Sequence, residues 1–125
     1  MFEKSTSKNQ DHALGKTNRI VEGTTITGEI NTIADFRLDG KLIGNFISEA
    51  KIVIGPSGEV TGDITCKNID IEGKFTGKLK AEELLNIKST AHIKGEVKVG
   101  KLAVEPGALF EASCEMATKS SNEAS

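Results

Sequence analysis

Residues Lys51 to Gly77 read KIVIGPSGEVTGDITCKNIDIEGKFTG. Two patterns each occur twice there. Apolar-x-Gly-x-apolar appears as VTGDI and again as FTGKL, which runs on to Leu79, and apolar-x-apolar followed closely by glycine appears as IVIG and as IDIEG. Working outward, the central glycine recurs at Gly28 in ITGEI, Gly44 in LIGNF, Gly62, Gly77 and Gly95 in IKGEV, with Ala112 in its place in FEASC. The second apolar residue of each pair falls at Val21, Leu38, Ile54, Ile71, Ile87 and Val104, at spacings of 17, 16, 17, 16 and 17 residues. Self-similarity at a fixed short period is the signature of a stacked-repeat architecture. Six copies of a unit of 16–17 residues account for nearly all of residues 19–114.

Such a unit is too short to fold alone. It holds three short extended segments whose alternating apolar residues share one side of a strand. Stacked in sequence, the units bury a continuous apolar column, each touching only its neighbours. The expected fold is all-β: a triangular β-solenoid, a parallel β-helix of about six coils, right-handed by extension of the crossover rule. The glycines of apolar-x-Gly-x-apolar share parity with inward residues, so each points inward or sits at a bend. Gly23, Gly40, Gly55 and Gly73 read as corners, tight at DGKL and longer at IGPSGEV. AEELL (81–85) could pass for a helical turn but is too short to be a helix by itself. Residues 1–18 and 115–125 are polar and aperiodic, and read as disordered tails flanking a 19–114 core.

Composition narrows the function. Sixteen basic and 18 acidic residues give a net charge of −2, which argues against nucleic acid, since that needs a basic face for its phosphates. Five Phe and no Tyr or Trp leave few platforms for stacking bases. No apolar run approaches the ~20 residues of a membrane span. Cys66 and Cys114 lie far apart, without metal-ligand spacing, and read as buried fillers in a reducing cytoplasm. Asp39, Glu59, Asp63, Asp70 and Glu72 read as a solvated outer face.

No catalytic constellation emerges. His12 lies in the first tail and His92 in the apparent loop STAHIK, so no base is held against partners, as an enzyme would require. The regular hexapeptide period of left-handed β-helix acyltransferases is absent. Gly95 to Leu102 has the spacing of a phosphate loop, but Leu102 stands where Ser or Thr should hold magnesium, and LAVEPG is not a helix. The reading is a non-enzymatic chain with no cofactor, metal or nucleotide. A threonine ladder for ice fails as well, because Lys41, Glu59 and Lys74 occupy the positions aligned with GTTITG.

The repeat as a whole, with KIVIG-x-x-G-x-V-x-G-x-I at 51–64 and polar tails on both flanks, resembles the bactofilins, bacterial polymer-forming cytoskeletal proteins. The resemblance covers about residues 19–116. It implies a right-handed β-helix that assembles end to end without nucleotide, and filaments that scaffold cell-envelope or morphogenetic factors. It also favours contacts of like ends, which make a filament non-polar. Many members begin with a membrane-targeting segment like Met-Phe-x-Lys, and here the chain opens Met1-Phe2-Glu3-Lys4. A phenylalanine in the last coil supports polymerisation in that family, and GALFEA places Phe110 there.

The ends of a β-helix carry unpaired backbone groups, and solenoids that stay monomeric cover them. Neither polar tail contains an amphipathic capping helix. The last coil keeps Leu102, Val104, Leu109 and Phe110, the expected polymerisation interface, whereas Arg19 stands where other coils have Phe36, Ile52, Ile69, Leu85 or Leu102. The expected partner is a second copy of the chain, together with envelope or morphogenesis proteins and the inner face of the cytoplasmic membrane, in a cytoplasmic setting. The alternative is a β-helical binding module that does not polymerise. Met1, Phe2 and Lys4 are the expected membrane contacts. Each lysine near an anionic surface contributes only about 1 kcal/mol, but a filament displays many copies and avidity multiplies weak contacts. The full-length protein should therefore sediment with anionic liposomes and a chain lacking residues 1–8 should not; equal sedimentation refutes the membrane contact.

Overall fold

The structure, a computed structural model, describes residues 17–116. They form nine strands: β1 (Thr17–Ile20), β2 (Thr25–Thr32), β3 (Asp35–Leu38), β4 (Lys41–Ser48), β5 (Lys51–Ile54), β6 (Glu59–Ile71), β7 (Lys74–Ile87), β8 (His92–Val104) and β9 (Leu109–Met116). Every pairing is parallel, and each strand lies on the equivalent strand of the coil before it. The result is a β-solenoid of about six coils. Thr17 pairs with Asp35 and Met116 with Val99, so the folded core extends two residues beyond 19–114 on each side.

Parallel register turns the repeat into vertical columns. Phe36, Ile52, Ile69, Leu85 and Leu102 stack in one, and Leu38, Ile54, Ile71, Ile87 and Val104 in the next. A second wall contributes Ile26, Leu42, Val60, Phe75, Ile93 and Phe110, and a third Ile30, Phe46, Ile64, Leu79, Val97 and Cys114. In the middle coils these side chains are almost wholly buried. Phe36 and Phe46 meet edge to face across the second coil, with ring centroids 4.8 Å apart.

The glycines of apolar-x-Gly-x-apolar form a column of their own: Gly28, Gly44, Gly62, Gly77 and Gly95. Their φ angles run from 120° to 141°, a region closed to most side chains. Each bends its strand between two inward residues, so that Leu42 and Phe46, for example, are both buried. A Cβ on Gly44, Gly62 or Gly77 would strike the carbonyl oxygen of the glycine one coil earlier. The bend and the close stacking together demand glycine from Gly44 to Gly95, and the last coil sets Ala112 on Gly95.

The corner after the first wall varies in length. It is wide at 21–24, 55–58, 88–91 and 105–108, and tight at 39–40 and 72–73. Tight corners nest against wide ones: a Cβ on Gly73 would meet the carbonyls of Gly58 and Gly55. At another corner the Ala50 N–H donates to Ser48 Oγ at 3.0 Å, and the Ala34 N–H donates to Thr32 Oγ1 at 3.0 Å. AEELL is strand. A register shift between Ala81 and Leu84 marks a bulge, which leaves Glu82 and Glu83 facing solvent.

Several readings change. Ile20, not Val21, pairs with Leu38, because the first corner is of the wide type and takes up Val21, which is exposed. It follows that Asn18, not Arg19, aligns with Phe36. Asp39 and Asp70 are not freely solvated: Arg37 donates to both Asp39 carboxylate oxygens at 2.9 and 3.0 Å, and Lys51 Nζ lies 3.2 Å from Asp70. That bidentate contact raises the Arg37 pKa further. His92 is not in a loop; it opens β8. Gly95 to Leu102 lies within β8, which is strand rather than a phosphate loop.

The glycine column makes a graded prediction. Gly62→Ala combines a positive φ with a backbone clash, each worth roughly 1–3 kcal/mol. Gly28→Ala meets nothing within 4 Å and carries only the φ penalty. Thermal unfolding should show the larger loss for Gly62→Ala; equal losses would refute the stacking clash.

Candidate assembly interface at the ends of the solenoid

The sheet order ends with β9 on one side and with β1 and β2 on the other. Among the described residues no strand covers the outer edge of β9, of Lys101–Val104, or of β1 and β2. Their outward N–H and C=O groups are open for pairing.

At the C-terminal end the inward columns continue but are covered from one side only. Val104 is 48% exposed while Ile87 directly beneath it is 0%. Leu102 and Phe110 are half-buried, packed on the core. Phe110 lies on Ile93, as the aligned patterns require. Leu109 differs: its column is Thr25, Lys41, Glu59, Lys74 and His92, which faces outward. It is an exposed apolar residue on the rim, not a member of the inward column. Leu102, Val104 and Phe110 thus share one end face with Leu109 at its margin.

Sequence reasoning missed two members of this face. Cys114 caps the column of Val97, Leu79 and Ile64, and Met116 stands on Val99 and is 45% exposed. Cys114 is therefore exposed rather than buried, because no described strand lies beyond β9. Its parity with Phe110 in FEASCEM was the available signal. Cys66 is buried as expected, and desolvation pushes its thiol up to about 12. Partial burial raises the Cys114 thiol as well.

Charge at this end is neutralised within the chain. Glu105 lies 3.6 Å from Lys88 Nζ, Glu111 3.9 Å from Lys94 Nζ and 3.3 Å from His92 Nε2, and Glu115 3.9 Å from Lys98 Nζ. Each terminal carboxylate leans on a cation of the preceding coil. At the N-terminal end Arg19 reaches Asp39 at 3.8 Å. Ile20, Ile26 and Ile30 pack on the core there, while Asn18 Nδ2 donates to Thr32 Oγ1 at 3.5 Å. Met1, Phe2 and Lys4 lie outside the described residues. Among those described, no group of three or more His, Cys, Asp or Glu side chains is placed to hold a metal ion.

The bactofilin family profile, described as polymer-forming cytoskeletal, matches residues 18–115, almost the whole solenoid. The chain belongs to the bactofilin family. Bactofilin BacO of Myxococcus xanthus is 25% identical over 118 residues, which cover 94% of this chain and 89% of BacO. BacP of the same organism is 23% identical, over 91% of this chain and 45% of BacP. Two solved Thermus thermophilus bactofilin structures share the fold, each at 26% identity. One, a cryo-EM reconstruction of double helical filaments, gives a TM-score of 0.74 over 78% of this chain and 96% of that one. The other, a crystal structure of a phenylalanine-to-arginine mutant, gives 0.67 over 72% and 99%. Bactofilins are structural cytoskeletal proteins rather than enzymes, and this bactofilin is a cytoskeletal filament subunit.

The two thiols should report on the exposed end. In the dilute folded chain Cys114 should react with a maleimide and Cys66 should not, until denaturant is added. Equal reactivity under native conditions, read by peptide mass spectrometry, would contradict the burial pattern.

Proposed function

We propose that the chain polymerises through its solenoid ends, with Leu102, Val104 and Phe110 as the apolar centre of the C-terminal contact and Leu109 at its rim. The supporting observation is the coverage of the inward columns, complete in the middle coils and one-sided in the last. Each such side chain contributes about 1.5–3 kcal/mol when taken from water to full burial, and part of that is already realised within the monomer. Association costs about 4–15 kcal/mol. Apolar contact by itself is thus marginal, and hydrogen bonds between the open edges, each worth about 1 kcal/mol net, complete the balance. Assembly uses no nucleotide, since the joint needs only backbone edges and apolar columns. The filament works in the cytoplasm as a scaffold for envelope or morphogenetic factors, with Met1, Phe2 and Lys4 touching the inner membrane face.

An interface so balanced does not tolerate a buried charge. Phe110→Arg should keep a β-rich circular dichroism spectrum yet form no pelletable filaments where the wild type does, in EDTA without ATP or GTP. Val104→Glu, at a more exposed site, should do the same and guards against loss of folding in the first variant. Filaments of both variants at the wild-type concentration place the joint elsewhere, and monodisperse wild-type particles favour a binding module. Strict dependence on nucleotide would falsify the mechanism.

A further inference from the structure

We infer that the two end contacts are unequal: C-terminal coils join first and tightly, as a two-fold dimer, and N-terminal coils close the filament in a weaker second step. This rests on the end-to-end reading above and assigns an order to it.

The ends differ in what their inward columns present. The C-terminal coil offers Leu102, Val104, Phe110, Cys114 and Met116. In the N-terminal coil, the column of Phe36 ends in Asn18. The column containing Ser48 ends in Thr32. Those two side chains are bonded to each other at 3.5 Å. A polar pair thus stands over the first and third walls where the other end is apolar.

The mismatch bears on which ends meet. Continuing the parallel register past the last coil would set Asn18 on Leu102 and Thr32 on Met116. The Thr32 hydroxyl keeps the Ala34 N–H as its partner, but the Asn18 amide buried on Leu102 would keep only its bond to Thr32, and polar groups buried without partners are costly. Joining two C-terminal ends avoids this and sets apolar columns against apolar columns. Such a joint is isologous, each copy offering the same patch. Like-charge repulsion does not oppose it, because Glu105, Glu111 and Glu115 already lean on Lys88, Lys94 and Lys98. Among the described residues, the N-terminal contact has only Ile20, Ile26 and Ile30 as partly buried apolar groups, and it must accommodate the Asn18–Thr32 pair. It is therefore the step that sets the concentration for filament growth.

The test titrates the full-length, reduced chain and follows particle mass, maleimide labelling of Cys114 and pelleting. Mass should double and Cys114 become shielded at a concentration at least about tenfold below that of pelleting, a gap of ~1.4 kcal/mol. Asn18→Leu should lower the pelleting concentration about tenfold and leave the dimer unchanged, since a leucine there continues the apolar column. Shielding and pelleting that rise together overturn the inference, as do a dimer with reactive Cys114 or an Asn18→Leu chain that pellets like the wild type. A chain that never pellets, yet doubles in mass with Cys114 shielded, overturns the filament reading but supports the tighter C-terminal contact.

Discussion

Parallel, in-register pairing sets every residue directly above its counterpart one coil earlier, about 4.8 Å away. The rest of the structure follows from that constraint. An inward position is apolar unless its polar group finds a partner in the corner, as buried Ser48 does in accepting from the Ala50 N–H. From Gly44 to Gly95 the bend position is glycine, because a Cβ there would strike the backbone one coil earlier; Ala112 ends the column in the last coil. Through the first five corners wide and tight alternate, so that one nests against the next, and the last two are both wide. The outer rows are less strictly ruled: Lys41 lies on Glu59, Lys94 on Glu111 and Lys98 on Glu115, but Arg19 lies on Arg37 and Lys80 on Lys98. The opposite-charge pairs are exposed and individually weak.

The same constraint makes the ends chemically special. A side chain within the stack is covered from above and below, so Ile87 and Val97 are buried. Val104 and Cys114 continue those columns but, among the described residues, have a neighbour on one side only. No separate binding motif is required, because an unfinished core already offers apolar columns and unpaired backbone edges together. The solenoid differs in this from a domain whose interface is a patch on a closed surface. The interface proposed for the solenoid is a cross-section of its own core, so any departure from the repeat in an end coil would alter the contact. Asn18, Thr32 and Leu109 are such departures.

The lateral faces have a different character. Their rows mix lysine, glutamate, threonine and asparagine, with Ile43 and Ile33 as isolated exposed apolar residues.

Periodicity alone fixed the fold class. Apolar residues at spacings of 16–17 with glycine at a constant offset admit one arrangement in which the apolar positions coincide, and that arrangement is the observed column structure. The alignment of Phe110 with Ile93, Phe75 and Val60 was readable for the same reason, since it depends only on counting. Where corner length changes, counting fails. Val21 was aligned with Leu38 because the first corner's width has no local signature, and the slip carried Arg19 into the place of Asn18. The tertiary structure also decided matters of coverage. Cys66 and Cys114 both occupy inward parity, but one lies under another coil and the other under none. Leu109 is as apolar as its neighbour Phe110 and faces the opposite way. Inward parity is a property of the strand and is written in the sequence. Burial is a property of what lies above the strand, and only the stack supplies it.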